Sequence, residues 1–194
     1  MGRQSNSSQD QACETASGAR RALRDETRQA HDRVDAAFGA HDLSTLDGYA
    51  RFLSAQSRAF VAVERAAEAA GVAGLIEDWP LRRRADLLLE DLAEMGVAAP
   101  RTIQAPPMTS EAELLGAVYV LEGSRLGGAV LGRNIPDQAP RRFLGGDGAG
   151  PRWRALTALL DARLVAADQI ADAVRSARSV FDCFDQAAKD AAAA

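Results

Sequence analysis

Residues 110–134 read SEAELLGAVYVLEGSRLGGAVLGRN. Ser110 and Glu113 match a capping box, in which a serine hydroxyl and a glutamate carboxylate satisfy backbone N–H groups of a first helical turn. Apolar residues follow at helical spacing, so a long helix is predicted here. It contains several glycines, although each interior glycine costs a helix roughly 1 kcal/mol relative to alanine. The glycines are Gly116, Gly123, Gly127, Gly128 and Gly132.

Gly123, Gly127 and Gly128 lie near one face of this predicted helix and leave its main chain uncovered. One interpretation is that a large flat group lies against the exposed backbone. The other is close packing of two helices through small residues. The segment alone does not decide between them.

The remainder of the chain is also typical of an all-α protein. Hydrophobic residues make up 47% of the 194 residues and aromatic residues only 5%, and the β-branched runs typical of strands are missing. Apolar residues at steps of three and four predict further helices. These run from Arg20 to Gly39, from a Ser44–Asp47 capping box to Gly71, from Leu81 to Gly96, over 152–166 and over 167–188, with a connector at 97–108 and a loop at 136–151.

We expect one domain over residues 18–190, preceded by a polar tail, residues 1–17, that is predicted to be disordered. The net charge of −4 and the pI near 5.3 exclude a global basic field of the kind that binds nucleic acid. Neither a signal peptide nor an apolar run long enough to cross a bilayer is apparent. A cytoplasmic protein with no membrane segment is therefore expected.

His31 lies on the apolar face of the first predicted helix, and Asp35 follows one turn later. A neutral imidazole binds a metal through Nε2 when an acceptor holds its Nδ1–H, and Asp35 is placed to be that acceptor. A lone histidine is more often structural, so the pair leaves both interpretations open. Arg28 and Arg24, one and two turns earlier, suit either carboxylate binding or a solvated face.

Two further basic runs, Arg82–Arg84 and Arg141–Arg142, are predicted to be exposed. Carboxylates also occur within predicted helices, at Glu64, Glu90 and Glu122, which raises the alternative of a di-iron oxygenase on a helical scaffold. These carboxylates lack the partnering histidines at Glu-x-x-His spacing that such a site needs, and this counts against that alternative.

Two segments together resemble the heme oxygenase family. They are LRDETRQAHDRVD, Leu23 to Asp35, and YVLEGSRLGGAVLGR, Tyr119 to Arg133, in the family's order and about 90 residues apart. The resemblance covers roughly residues 19–190. It is closest to short bacterial members, particularly those that supply biliverdin to bacteriophytochromes.

The resemblance implies a single-domain, all-α, multihelical fold in which haem lies between a proximal helix and a kinked, glycine-rich distal helix. By this resemblance His31 is the axial iron ligand and Asp35 orients it. Gly123 and Gly127 would touch the haem plane on the distal side. The other residues carried over as haem contacts are Arg24, Arg28 and Arg154 at the propionates, with Gly128 and Phe181 packing on the ring.

Two distal positions depart from the animal-type members of the family. Ser124 stands where those enzymes have an acidic residue, so proton delivery is expected to rest on a hydroxyl, backbone and water. Arg125 stands where the bacterial pattern has threonine, and we expect it to point outward or towards a propionate.

The implied activity is oxidative cleavage of haem to biliverdin, carbon monoxide and ferrous iron, with O2 and electrons from a ferredoxin or flavoprotein reductase. We expect that reductase to dock on a basic rim near Arg133. A bacteriophytochrome is a candidate acceptor of the biliverdin. The alternative is a haem-binding protein on the same fold that does not degrade haem, with Ser124 and Arg125 as the residues that would make it so.

Overall fold

A computed structural model describes residues 18–145 and 148–192, and over those residues the protein is helical with no strand. The predicted all-α class is therefore confirmed, while the predicted tail, residues 1–17, lies outside the described residues. The helices are α1 (Gly18–Phe38), α2 (Leu46–Ala69), α3 (Ala85–Glu94), α4 (Glu111–Leu131), α5 (Ala149–Arg163) and α6 (Ala167–Ala192). Short 3₁₀ helices are Val72–Gly74, Trp79–Leu81 and Gly132–Asn134.

The core is built around α4 and α6, and α6 also packs along α1 and α2. The backbones of α4 and α6 approach closely at Gly116, where an added Cβ would lie 2.1 Å from the carbonyl oxygen of Ala173. Nearby, the Ser176 hydroxyl donates to the Glu113 carbonyl at 2.7 Å. Close packing against α6 thus explains why residue 116 is a glycine, because any larger side chain would collide with the α6 backbone.

The helix boundaries follow the predictions with small corrections. The N-cap of α2 is Thr45, whose hydroxyl accepts from the Gly48 N–H at 3.0 Å. The predicted cap, Ser44, lies one residue earlier, and its hydroxyl donates to the Asp42 carboxylate at 2.6 Å. Leu81 belongs to a 3₁₀ turn and is 69% exposed, so it is not part of the buried stripe of α3. Helix α5 begins at Ala149, three residues before its predicted start at 152.

Helix α4 has the predicted capping box, with Ser110 and Glu113 each binding the other's backbone N–H. By length and composition Glu111–Asn134 would suffice to cross a bilayer, which corrects the expectation that no such run exists. Most of this segment is buried against the other helices. Its place in the core accounts for its apolar character.

Candidate functional site

His31 faces outward from α1, with 56% of its side chain exposed, and is not part of the buried stripe to which its spacing assigned it. Its Nδ1 lies 3.2 Å from Asp35 Oδ2 and 4.0 Å from Asp32 Oδ1. A neutral imidazole carries one N–H, so donation from Nδ1 to Asp35 leaves the Nε2 lone pair available to a ligand.

An aromatic side chain from α6 flanks this imidazole. Phe181 is buried, and its ring lies edge-on to His31 with 5.9 Å between the ring centroids and 72° between the ring planes. The histidine is therefore exposed on one side and lies against apolar surface on the other. This is a suitable setting for a ligand to an apolar, planar group.

Three exposed arginines share one carboxylate on the preceding turns of α1. The Arg24 and Arg28 guanidiniums lie 3.2 and 3.4 Å from Asp25 Oδ1, and Arg21 lies 3.5 Å from Oδ2. The hydrogen bond from Arg24, with the charges of Arg24 and Arg21, holds the pKa of Asp25 below its usual range. The cluster keeps an excess of positive charge that can bind carboxylates.

Tyr119 lies on α4, one turn before Gly123. Burial raises the pKa of Tyr119, and the Thr27 hydroxyl on α1, one turn before His31, opposes this shift. The two segments that carry the family resemblance lie on α1 and α4, about 90 residues apart in the chain, and both of these helices pack against α6.

The glycines of α4 have different surroundings. A Cβ added at Gly127 would meet nothing within 4 Å, so the main chain there is open. Trp153 on α5 lies over Gly123, 3.7 Å from where a Cβ would be, and its ring centroid is 5.3 Å from that of Tyr119. Gly128 lies under Leu144, 3.1 Å away by the same measure. The open backbone is therefore centred on Gly127.

The remaining candidate at the haem edge, Arg154, is exposed on α5 directly after Trp153. Two cavities of about 390 and 310 Å³ lie elsewhere, the first between α1 and α6 and the second beside the start of α4. Neither is lined by His31 or Gly127.

Behind the glycine segment lies a group of buried charges that the sequence interpretation placed on the surface. Arg82 and Arg84 are only 4% and 2% exposed, so the prediction of an exposed run is wrong for both, and Arg83 alone is half-exposed. The chain turns inward at the 3₁₀ helix Trp79–Leu81 and carries these two side chains into the core.

Glu122 is the partner of two of the buried arginines. Its carboxylate lies 2.9 Å from Arg82 Nη1 and 3.2 Å from Arg125 Nη2. Arg125 is therefore buried and does not point outward, which corrects that part of the expectation for it. A sequence signal was present, because a glutamate in the apolar middle of a buried helix requires a cationic partner.

Ser124, predicted to help deliver protons, already has two partners. Its hydroxyl donates to the Leu121 carbonyl at 2.7 Å and accepts from Arg84 Nη2 at 2.7 Å. The same Nη2 donates to the Leu121 carbonyl at 2.6 Å. The one hydroxyl proton is thus directed into the backbone of α4.

The carboxylates of the di-iron alternative lie in separate settings. Glu64 accepts from the backbone N–H groups of Arg84 and Ala85, both at 2.8 Å, and burial raises its pKa. Glu90 lies 3.7 Å from Arg142. Across residues 18–145 and 148–192 no three His, Cys, Asp or Glu side chains form a group that could hold a metal ion, so that alternative gains no support.

The fold and this site define a class: an all-helical protein with an outward-facing histidine on α1 and a glycine-rich helix, α4, in its core. The heme oxygenase family model matches residues 17–190. A heme oxygenase of Xanthomonas campestris pv. campestris (strain 8004) is 37% identical over 112 residues, which cover 55% of this chain and 67% of that protein. The chain belongs to the heme oxygenase family of enzymes.

Solved structures agree with the family assignment. The NO- and CO-bound heme oxygenase from Neisseria meningitidis superposes with a TM-score of 0.75 at 25% identity, covering 89% of this chain and 90% of that one. Heme oxygenase from Leptospira interrogans gives a TM-score of 0.67 at 20% identity, covering 87% and 97%. At the lower identity the likeness shows the fold alone.

Proposed function

We propose that this chain opens haem to biliverdin, carbon monoxide and ferrous iron, using O2 and electrons from a ferredoxin or flavoprotein reductase. Membership of the heme oxygenase family supports the reaction class. The observation that carries the assignment to this site is the His31–Asp35 pair on α1, with Nδ1 turned to the carboxylate at 3.2 Å.

The described residues fit haem. His31 would hold the haem iron through Nε2, and the edge of Phe181 would give the adjoining apolar surface. Arg24 and Arg28 carry guanidiniums that match propionates, and Arg154 is a further exposed cation on α5. These residues bind the porphyrin by its iron, its face and its carboxylates.

When bound, haem supplies both the iron that activates O2 and the porphyrin carbon that is oxidised. Asp35 holds the His31 ring in one tautomer and orientation, which keeps Nε2 directed at the ligand site. Gly127 leaves the α4 backbone bare, so that no side chain competes for the space on that face. Trp153 covers Gly123 and Leu144 covers Gly128, so Gly127 is the glycine that remains open.

The test is a titration of the purified chain with haem, followed by a reductant and O2. We expect a Soret-absorbing complex of one haem per chain, which then turns green as biliverdin forms. Absence of a biliverdin band under reducing, aerobic conditions would contradict the proposal. His41→Ala is the matched control for His31→Ala in this titration, because His41 is the other of the two histidines in the chain and packs against Phe38 and Phe52.

A second candidate function is haem binding without degradation. The observation that favours it is at Ser124, whose hydroxyl proton is donated to Leu121 and not to the open face of α4. The same experiment separates the two functions. Return of the aerobic, reduced complex to the ferric haem spectrum supports binding only, whereas ring opening supports the enzyme.

For the electron donor we propose the end of α4 and the turn after it. Arg133 is exposed there beside Val130 and Leu131, which are 60% and 37% exposed. A cation next to apolar surface suits transient docking of an acidic redox protein. We place the protein in the cytoplasm, with a bacteriophytochrome as a candidate acceptor of the biliverdin.

A further inference from the structure

Arg84 is a buried cation whose guanidinium contacts no carboxylate in residues 18–145 and 148–192. Its Nη2 binds the Leu121 carbonyl and the Ser124 hydroxyl, and its Nε has no hydrogen-bond partner within those residues. The rings of Phe60 and Phe143 lie 4.7 and 5.1 Å from its central carbon. The guanidinium thus lies between two aromatic rings, and its hydrogen bonds go only to α4.

The nearby carboxylates are occupied by other groups. Glu122 is bound to Arg82 and Arg125, and Glu64 accepts from backbone N–H groups. Burial, with the charge of Arg125, lowers the pKa of Arg84 to about 9, so the guanidinium remains charged at neutral pH. A buried charge without an ion-pair partner costs stability, and an apolar side chain of similar size would serve packing better.

We propose that Arg84 is a positioning residue for the distal segment of α4. Its Nη2 donates to the Ser124 hydroxyl and to the Leu121 carbonyl, and so holds the turn that carries the open Gly127, with a fixed positive charge behind it. This role rests on the proposed function, since it concerns the face of α4 that would meet haem. It also leaves the Ser124 hydroxyl proton directed to the Leu121 carbonyl and not to that face.

The charge and the hydrogen bonds of Arg84 can be separated by substitution. Arg84→Met removes both, whereas Arg84→Lys keeps the charge but replaces the rigid planar guanidinium, whose Nη2 makes both bonds, by a flexible ammonium group. The matched control is Arg83→Met, the neighbouring arginine, which is half-exposed and pairs with Glu68 and Asp86 at the surface.

The first readout is hydrogen exchange in the haem-free chain. Peptides covering residues 121–128 should exchange at least about tenfold faster in Arg84→Met and Arg84→Lys than in Arg83→Met, because the anchor of that segment is lost. The rest of α4 and α6 should change little. Exchange equal to that of Arg83→Met, or raised uniformly over α4 and α6, would overturn the positioning role.

The second readout is the pH at which the ferric haem complex changes to its alkaline spectrum. Loss of a positive charge disfavours deprotonation nearby, so the midpoint should rise in Arg84→Met and stay near that of the unaltered chain in Arg84→Lys and Arg83→Met. An unmoved midpoint in Arg84→Met would overturn the claim that the charge of Arg84 acts on the face of α4 that would meet haem. If Arg84→Met does not fold, exchange in Arg84→Lys decides. Failure to bind haem would refute the proposed function while leaving the exchange result valid.

Discussion

The two sides of the candidate haem site are built in different ways. On α1, His31, Asp35 and the arginines around Asp25 interact within one or two turns of a single exposed helix face. On α4, the glycine segment is held from behind by Arg82 and Arg84, residues some 40 positions away in the chain. The first arrangement is local and solvated, whereas the second is long-range and buried.

This difference has physical consequences. Exposed pairs on one helix contribute little to folding, so α1 can exchange one partner for another when a ligand arrives. Buried ions are costly to leave unpaired, so the α4 network is rigid and intolerant of substitution. We therefore expect the α1 side of the candidate site to be adaptable and the α4 side to be rigid.

The largest expected effect is on the proximal side. His31→Ala should lower the rate of biliverdin formation about 100-fold or more, since loss of an axial ligand exceeds the 10- to 100-fold cost of losing its orienting partner. Haem affinity should fall less, because burial of the apolar ring supplies most of the binding free energy. Turnover at the level of His41→Ala would show that the ligand is elsewhere.

The next largest effect is a loss of folding stability when the buried charge pairs behind α4 are broken. Glu122→Gln removes the charge shared by Arg82 and Arg125 and should lower the free energy of unfolding in urea by about 3–5 kcal/mol. Glu26→Gln, which breaks a half-exposed pair with Arg178, is the control and should change it by less than about 1 kcal/mol. Equal losses would remove the contrast between the two sides.

A pair of glycine variants compares close packing with open backbone within α4 itself. Gly116→Ala should destabilise the fold by about 1–3 kcal/mol, because its Cβ would meet the Ala173 carbonyl. Gly127→Ala has room and should stabilise the fold by up to about 1 kcal/mol while weakening haem binding. Thermal unfolding and haem titration measure the two effects. Unweakened haem binding in Gly127→Ala would place the haem face elsewhere.

The difference between local contacts on α1 and long-range contacts behind α4 also explains which features could be predicted from the sequence. Helical periodicity and caps predicted all six described helices, and one-turn spacing predicted the His31–Asp35 contact. Burial of Arg84 could not be predicted, because it depends on how the Trp79–Leu81 turn meets α4. Only the buried position of Glu122 gave a signal that cations must lie nearby.

The smallest effect concerns the arginines on α1. Asp25→Asn frees Arg24 and Arg28 from their shared carboxylate, so haem affinity should rise a few-fold at low salt. The gain should shrink as ionic strength increases, since the charges are exposed. Haem titrations at two salt concentrations measure this, and esterified haem, which lacks free propionates, is the control. An equal gain with the ester would rule out propionate contacts.

The most direct test of the proximal side is resonance Raman spectroscopy of the ferrous haem complex. An iron–histidine stretching band should be present in the unaltered chain and in His41→Ala, and it should shift in Asp35→Asn because the ring N–H then donates to a neutral amide instead of a carboxylate. The band should be absent in His31→Ala. A band that persists unchanged in His31→Ala would contradict the assignment of His31 as the axial ligand.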